Sequence, residues 1–172
     1  MELIRKLGVL RKGGVAPPPT WVIAVTWLLS FIGLGIAIYL TIVHFDTKVA
    51  LVCKDVAGFN CEKVTTSAQS YFLRIPVAVL GLFQYVVMVG LCSPWAWRSV
   101  RREVHLARLA FAVVGMCFVL WLFSAEALII KAFCLWCSGV HVVTFVMLIC
   151  VMATVPAMLG WTEPAEDRTA AA

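Results

Sequence analysis

Four of the seven cysteines fall into two pairs whose spacing suits thiol chemistry. Cys134 and Cys137 form a C-x-x-C motif, and Cys53 and Cys61 lie eight residues apart. A C-x-x-C motif serves both redox and zinc sites, so its surroundings must decide between them. The motif opens a long apolar run, where a helix N-terminus would favour the reactive thiolate. Two neighbouring pairs could pass electrons by thiol–disulfide exchange through a mixed disulfide.

The remaining cysteines point to packing rather than to chemistry. Cys92, Cys117 and Cys150 lie within or at the ends of apolar runs, where a free thiol behaves as a small apolar side chain. The pair Cys53 and Cys61 also fits a purely structural disulfide, which an oxidising compartment would preserve. That alternative stays open on spacing alone.

Two polar residues follow the C-x-x-C motif at helical spacing. Ser138 lies four residues after Cys134, and His141 lies four residues after Cys137. Helix periodicity therefore predicts that both line the same internal cavity. His141 could hydrogen-bond a quinone oxygen or move a proton, and it fits equally well as a satisfied interior histidine.

The elements that must position these residues are predicted to be membrane helices. Of the 172 residues, 63% are hydrophobic and 13% are charged, whereas an ordinary soluble domain is about 25% charged. A membrane span needs roughly 20 apolar residues, and lipid cannot satisfy an open backbone. Four apolar segments qualify: residues 21–43, 75–91, 106–125 and 132–155. The predicted fold class is an all-α integral membrane protein, a bundle of four transmembrane helices.

Basic residues indicate how this bundle is oriented. They cluster at Arg5, Lys6, Arg11 and Lys12 before the first helix, and at Arg98, Arg101, Arg102 and Arg108 between the second and third. The excess of basic residues in cytoplasmic loops places both clusters, and hence both termini, in the cytoplasm. The long loop of residues 44–74 and the turn around Glu126 and Lys131 are then extracytoplasmic, with both cysteine pairs. We interpret the net charge of +5 as this topology signal, not as nucleic-acid binding.

The chain is predicted to form one domain between two tails. Residues 1–20 are expected to be a cytoplasmic tail that is not cleaved as a signal peptide, residues 21–156 the four-helix domain, and residues 157–172 a C-terminal tail. The outer loop is unusually long, which is typical of functional loops. Its apolar residues predict either a lid on the bundle mouth or packing on the membrane surface: Phe59, Tyr71, Phe72 and Leu73.

Several function classes remain as alternatives. No phosphate-binding, dinucleotide-binding or H-E-x-x-H motif is found, and we predict no metal. Three competing interpretations remain. The four paired cysteines could form a tetrahedral thiolate metal site, or His44 and His141 could hold a haem. In the third, the chain is a structural membrane protein whose loop disulfide only stabilises the loop.

The order of these features resembles the vitamin K epoxide reductase family, in its bacterial branch. The resemblance covers most of the chain and is carried by the spacing of Cys53 and Cys61, Ser67 six positions after Cys61, the Arg74-Ile75-Pro76-Val77 entry to the second helix, and Cys134 with Cys137. It implies a four-helix bundle around a quinone in the bacterial inner membrane, in a stand-alone form without a fused thioredoxin-like domain.

The resemblance also implies a function and a direction of electron flow. Cys53 would accept electrons from a separate periplasmic thioredoxin-like thiol oxidase, and Cys61 would pass them to Cys134. Cys137 would face a membrane quinone, ubiquinone or menaquinone, and reduce it. The expected activity is that of a quinone-dependent thiol oxidoreductase that supports disulfide bond formation.

Two further positions acquire expectations from the resemblance. Ser67 would help to orient Cys61 or its loop helix, and a plain helix cap fits it equally well. Animal members carry a tyrosine where this chain has His141. This departure from the animal members argues against epoxide reduction, so reduction of vitamin K quinone or epoxide is kept only as the alternative activity.

Overall fold

The computed structural model describes residues 18–46, 53 and 60–159 of the chain. The elements of this part are α1 Thr20–Phe45, α2 Cys61–Thr65, a 3-10 helix Ala68–Ser70, β1 Tyr71–Phe72, β2 Ile75–Pro76, α3 Val77–Leu91, α4 Pro94–Trp97, α5 Arg102–Ser124, a π-helical stretch Ala125–Ile130, and α6 Leu135–Met158. Most of both predicted tails, including the basic cluster before the first helix, lies outside these residues.

Three helices of the described part are long and apolar enough to cross a membrane: Thr20–Phe45, Arg102–Ile130 and Leu135–Met158. Their outward faces carry large apolar side chains, such as Leu28 and Val114, which are more than half exposed. Helix α3 is also apolar, but its 15 residues fall short of the roughly 20 that a straight span needs.

The four long helices pack as a closed bundle, with α1 against α3 and α6, and α5 against α3 and α6. Helices α1 and α3 meet closely at Gly33, where an added Cβ atom would overlap the ring of Tyr85. The Tyr85 hydroxyl in turn hydrogen-bonds the Thr144 hydroxyl on α6 at 2.8 Å. Gln84 donates from Nε2 to the Phe111 carbonyl oxygen at 2.8 Å and ties α3 to α5.

The basic cluster between α3 and α5 divides into an exposed part and a buried part. Arg108 is fully buried, so it is not one of the exposed charges of this cluster. Its Nε and Nη2 donate to the Leu91 carbonyl oxygen at 2.9 and 2.6 Å, so the guanidinium caps the C-terminus of α3. Its Nη1 donates to His105 Nδ1, and Trp97 stacks on the guanidinium. The other basic residues are exposed: Arg98, Arg101 and Arg102.

Two predicted helix boundaries are wrong for physical reasons. The second helix begins at Val77 because residues 75–76 pair with residues 71–72 in a short antiparallel hairpin. The third helix does not end at Ala125 but continues through the π-helical stretch to Ile130. Glu126, expected in an exposed turn, therefore lies inside a helix and is buried.

Candidate functional site

The first cysteine pair is joined in the structure. Cys53 and Cys61 form a disulfide with a Cα–Cα distance of 6.0 Å. Cys61 is the first residue of α2 and is 2% exposed. Asn60 caps this short helix, since its side-chain oxygen accepts a hydrogen bond from the Lys63 backbone N–H at 2.9 Å. The cap fixes the backbone that carries the Cys61 sulfur.

The second cysteine pair stands at the start of α6 as two free thiols. Cys134 is the N-cap residue and is completely buried, and Cys137 follows in the first turn. The backbone N–H of Cys137 donates to Cys134 Sγ at 3.3 Å. The sulfur of Cys134 thus takes the position that a serine or aspartate oxygen takes in an ordinary helix cap.

The two pairs meet in one buried cluster at this end of the bundle. Its fully buried members include Cys61 and Cys134, and Cys53 and Cys137 pack against them. The backbone N–H of Asn60 donates to the carbonyl oxygen of Phe133 at 3.0 Å. Because these are the residues directly before Cys61 and Cys134, this bond holds the loop helix beside the start of α6. The four cysteines are therefore neighbours in space.

The surroundings of Cys134 favour its thiolate. A hydrogen bond from the Cys137 thiol is the largest cause that lowers the pKa of Cys134, and the backbone N–H groups of Cys137 and Trp136 add to it. Burial and the negative charge of Glu126 oppose this lowering without reversing it. A stabilised thiolate at a helix N-terminus is the usual form of a reactive cysteine.

A cavity of about 420 Å³ opens beside Cys137. Its lining is mostly apolar and comes from all four long helices and the hairpin, and its polar or ionisable side chains include His44, Ser67, Gln84, Tyr85, Glu126, His141 and Thr144. Of the two polar residues predicted to line the cavity, His141 does so and Ser138 does not.

The His141 side chain offers the cavity an unused hydrogen-bonding atom. Its Nδ1 is buried and has no hydrogen-bond partner, and its ring lies edge-on to Phe123 with centroids 6.4 Å apart. Buried polar atoms are rarely left without a partner unless a ligand or water supplies one. An apolar cavity of this size with a few polar atoms suits the ring and first chain units of a quinone.

Ser67 also lies on the cavity wall, but it does not act as a side-chain cap. Its hydroxyl donates to the Val64 carbonyl oxygen at 2.7 Å, at the end of the turn that begins with Cys61. It precedes the 3-10 helix without a side-chain cap hydrogen bond. The contact ties Ser67 to the last turn of the loop helix α2, which begins with Cys61.

The hairpin contributes residues to the cavity wall. Phe72 lies on the cavity wall and packs edge-on against Phe118 and Trp121, each at 5.5 Å between centroids. The Tyr71 hydroxyl lies 3.1 Å from His44 Nε2 on α1. Tyr71, Phe72 and Leu73 are also exposed, so a lid and packing on the membrane surface both remain predictions for this part of the loop. Phe59 lies outside the described residues.

Glu126 is a site residue that the sequence analysis missed. It is 3% exposed and lines the cavity together with Cys137. A signal was available, because Glu126 continues the buried stripe of α5 that runs through Ala112, Gly115 and Val119 at spacings of three, four and seven residues. Ending the third helix at Ala125 concealed this periodicity.

The comparison with known families matches the same region. Residues 24–152 match the model of the vitamin K epoxide reductase family. The chain belongs to the vitamin K epoxide reductase family. A search of curated proteins gave no match.

Membership in the vitamin K epoxide reductase family, together with the apolar helices, makes the chain a membrane oxidoreductase. The matched region contains both cysteine pairs and most of α6. Within the described residues, no group of three or more histidine, cysteine, aspartate or glutamate side chains could hold a metal ion. The disulfide also occupies two of the four sulfurs that a thiolate metal site would need.

Proposed function

We propose that this chain is a quinone-dependent thiol oxidoreductase that reoxidises a separate thioredoxin-like protein in the periplasm. The observation that carries the proposal is the buried cluster in which the Cys53–Cys61 disulfide lies against the free thiols Cys134 and Cys137, next to an apolar cavity. The activity would support disulfide bond formation in the partner's own substrates.

The proposed electron path has two exchange steps. A partner thiolate attacks Cys53 to form a mixed disulfide, and the partner's second thiol then releases Cys53, so that the partner is oxidised and Cys53 and Cys61 are reduced. The Cys61 thiolate attacks Cys134 of the inner pair, which is the Cys134–Cys137 pair in its disulfide form, and displaces Cys137. Cys53 closes again on Cys61, which leaves Cys134 and Cys137 as thiols. The arrangement described above, with an outer disulfide and two inner thiols, corresponds to the stage after this transfer.

The inner pair then gives its electrons to a quinone in the cavity. When bound, the quinone accepts the two electrons as Cys134 and Cys137 become a disulfide. His141 would hold one of the quinone oxygens through its unpartnered Nδ1. The hairpin residues Phe72 and Leu73, which line the cavity, would exclude water from the reaction. Nothing in the lining distinguishes ubiquinone from menaquinone.

The proposal includes a topology with four spans and the cysteines on the extracytoplasmic side. Helix α3 would be the fourth span, since it packs between α1 and α5 in the closed bundle and α4 continues the chain beyond its end. The exposed Arg98, Arg101 and Arg102 lie at the end of α3 and the start of α5. In the cytoplasm, these charges would satisfy the positive-inside rule.

The decisive experiment measures electron transfer to a soluble quinone. Purified protein is mixed with a reduced thioredoxin-like thiol oxidase and the quinone, and quinone absorbance is followed. We expect turnover in the wild type and none in Cys137→Ser, because the inner pair can no longer close. Cys150→Ser removes a buried thiol elsewhere on α6 and should retain the rate. Equal rates in wild type and Cys137→Ser would discard the proposal.

A further inference from the structure

A buried acid stands next to the inner cysteine pair. Glu126 is 3% exposed, and its Oε2 is buried without a hydrogen-bond partner. Burying a carboxyl group in an apolar interior is unfavourable unless the group is paired or protonated. A glutamine or leucine would fill the same space at lower cost, so the acid itself needs an explanation.

The carboxyl group of Glu126 lies beside the start of α6. The π-helical stretch ends at Ile130. The N–H groups of the next two residues, Lys131 and Ala132, donate to the Glu126 carbonyl oxygen. The backbone N–H of Cys134 interacts with the carboxyl group of Glu126, and its charge acts on the sulfurs of Cys134 and Cys137. Single π-helical turns inside α-helices often occur at functional sites.

The same carboxyl group reaches the cavity. Glu126 shares its wall with Cys137 and His141, and His44 of α1 lines the wall as well. Among the described residues, the ionisable ones that line this cavity are His44, Tyr85, Glu126, Cys137 and His141. Glu126 is the one among them that also contacts the backbone of Cys134.

We propose that Glu126 carries a proton from the inner cysteine pair to the quinone site; this inference rests on the proposed function. The reduced pair holds two protons. One moves to Glu126 Oε2 and leaves a thiolate at Cys134, which the Cys137 thiol stabilises. The other leaves Cys137 as both S–H bonds are replaced by one S–S bond. The quinone takes up the two electrons and both protons, and Glu126 returns to its carboxylate.

The first test compares single-turnover rates of quinone reduction by the pre-reduced protein. Loss of a positioned proton carrier typically slows a reaction by about 100-fold or more, so we expect that loss in Glu126→Gln. Glu126→Asp keeps the acid and should lose no more than about 10-fold. Glu103→Gln removes an exposed acid from the first turn of the same helix and should retain the rate.

The second test needs no quinone. Infrared difference spectra are recorded between the reduced protein and the protein oxidised with a small-molecule disulfide-forming reagent. We expect a carboxylic acid C=O band in the reduced state that disappears on oxidation, is absent in Glu126→Gln and is shifted in Glu126→Asp. A residue that only fills space would give no redox-linked acid band. Should Glu126→Gln not fold, the shift in Glu126→Asp assigns the band.

The outcomes separate this inference from the function on which it rests. If the wild type does not reduce quinone, the proposed function fails. If the wild type turns over but Glu126→Gln keeps its rate, or no redox-linked acid band is seen, the role of Glu126 is overturned and the proposed function stands.

Discussion

At the scale of single residues, hydrogen bonds from Cys137 to the sulfur of Cys134 favour ionisation of the Cys134 thiol. The sulfur of Cys134 accepts hydrogen bonds from the Cys137 thiol and from the Cys137 backbone N–H. Both donors favour the charged form of Cys134, whereas burial disfavours it. The net lowering of its pKa makes Cys134 the better nucleophile of the pair for closing a disulfide onto Cys137.

We expect Cys137→Ala to raise the pKa of Cys134. The thiolate is the charged form, so removing a donor to it shifts ionisation to higher pH. A hydrogen bond to a charged group contributes about 1.5 kcal/mol or more, which corresponds to about one pH unit. The ultraviolet absorbance of the thiolate as a function of pH measures this in a background without Cys92, Cys117 and Cys150.

Ser138→Ala is the matched control for this titration, because it truncates the next residue of the helix and leaves both donors to Cys134 in place. Its titration should coincide with that of the background protein. A Cys137→Ala curve that lies at lower pH than the background would contradict the role of the Cys137 thiol as donor.

At the scale of elements, the cavity depends on how closely α1 and α3 approach each other. Gly33 provides that approach because the Tyr85 ring lies where its side chain would be. Tyr85 then reaches Thr144 on α6, so one small residue positions two lining side chains of the cavity. Small residues at helix contacts are typical of membrane bundles.

We expect Gly33→Ala to destabilise the bundle by about 1–3 kcal/mol, the usual effect of overpacking a core. Gly35→Ala is a close control: it lies on the same helix, and an added Cβ there meets nothing within 4 Å. Thermal unfolding in detergent, followed by tryptophan fluorescence, compares the two. Equal melting temperatures would mean that α1 and α3 can separate at no cost.

At the scale of the whole molecule, the two ends of the bundle differ in chemistry. One end holds the two cysteine pairs, the hairpin and the part of the cavity beside Cys137. The other end holds Arg108, whose guanidinium hydrogen-bonds Leu91 and His105 and stacks on the Trp97 ring. The exposed arginines belong to that second end, which is the reason for assigning it to the cytoplasm.

This orientation can be tested by labelling single cysteines in intact spheroplasts. In a Cys117→Ser background, which lacks the exposed native thiol, Arg74→Cys marks the hairpin and Arg101→Cys marks the opposite end. We expect a membrane-impermeant maleimide to label Arg74→Cys directly and Arg101→Cys only after the membrane is permeabilised. The reverse pattern would invert the proposed topology.

The sequence by itself determined the class of the protein and its two cysteine pairs. Apolar runs near 20 residues leave a chain little choice but helices in a membrane, and the spacing of Cys134 and Cys137 is legible without coordinates. The family match over residues 24–152 agrees with the resemblance that these local patterns carry.

Only the tertiary structure decided which side chains surround the thiols. Glu126 was predicted in an extracytoplasmic turn between two apolar runs, and Ser138 was predicted on the cavity wall because it lies one helical turn after Cys134. Burial and cavity lining depend on how neighbouring helices and the hairpin are packed around a position. That packing brings together residues far apart in the chain. The spacing of residues along a single helix does not show which side chains of other elements pack against it.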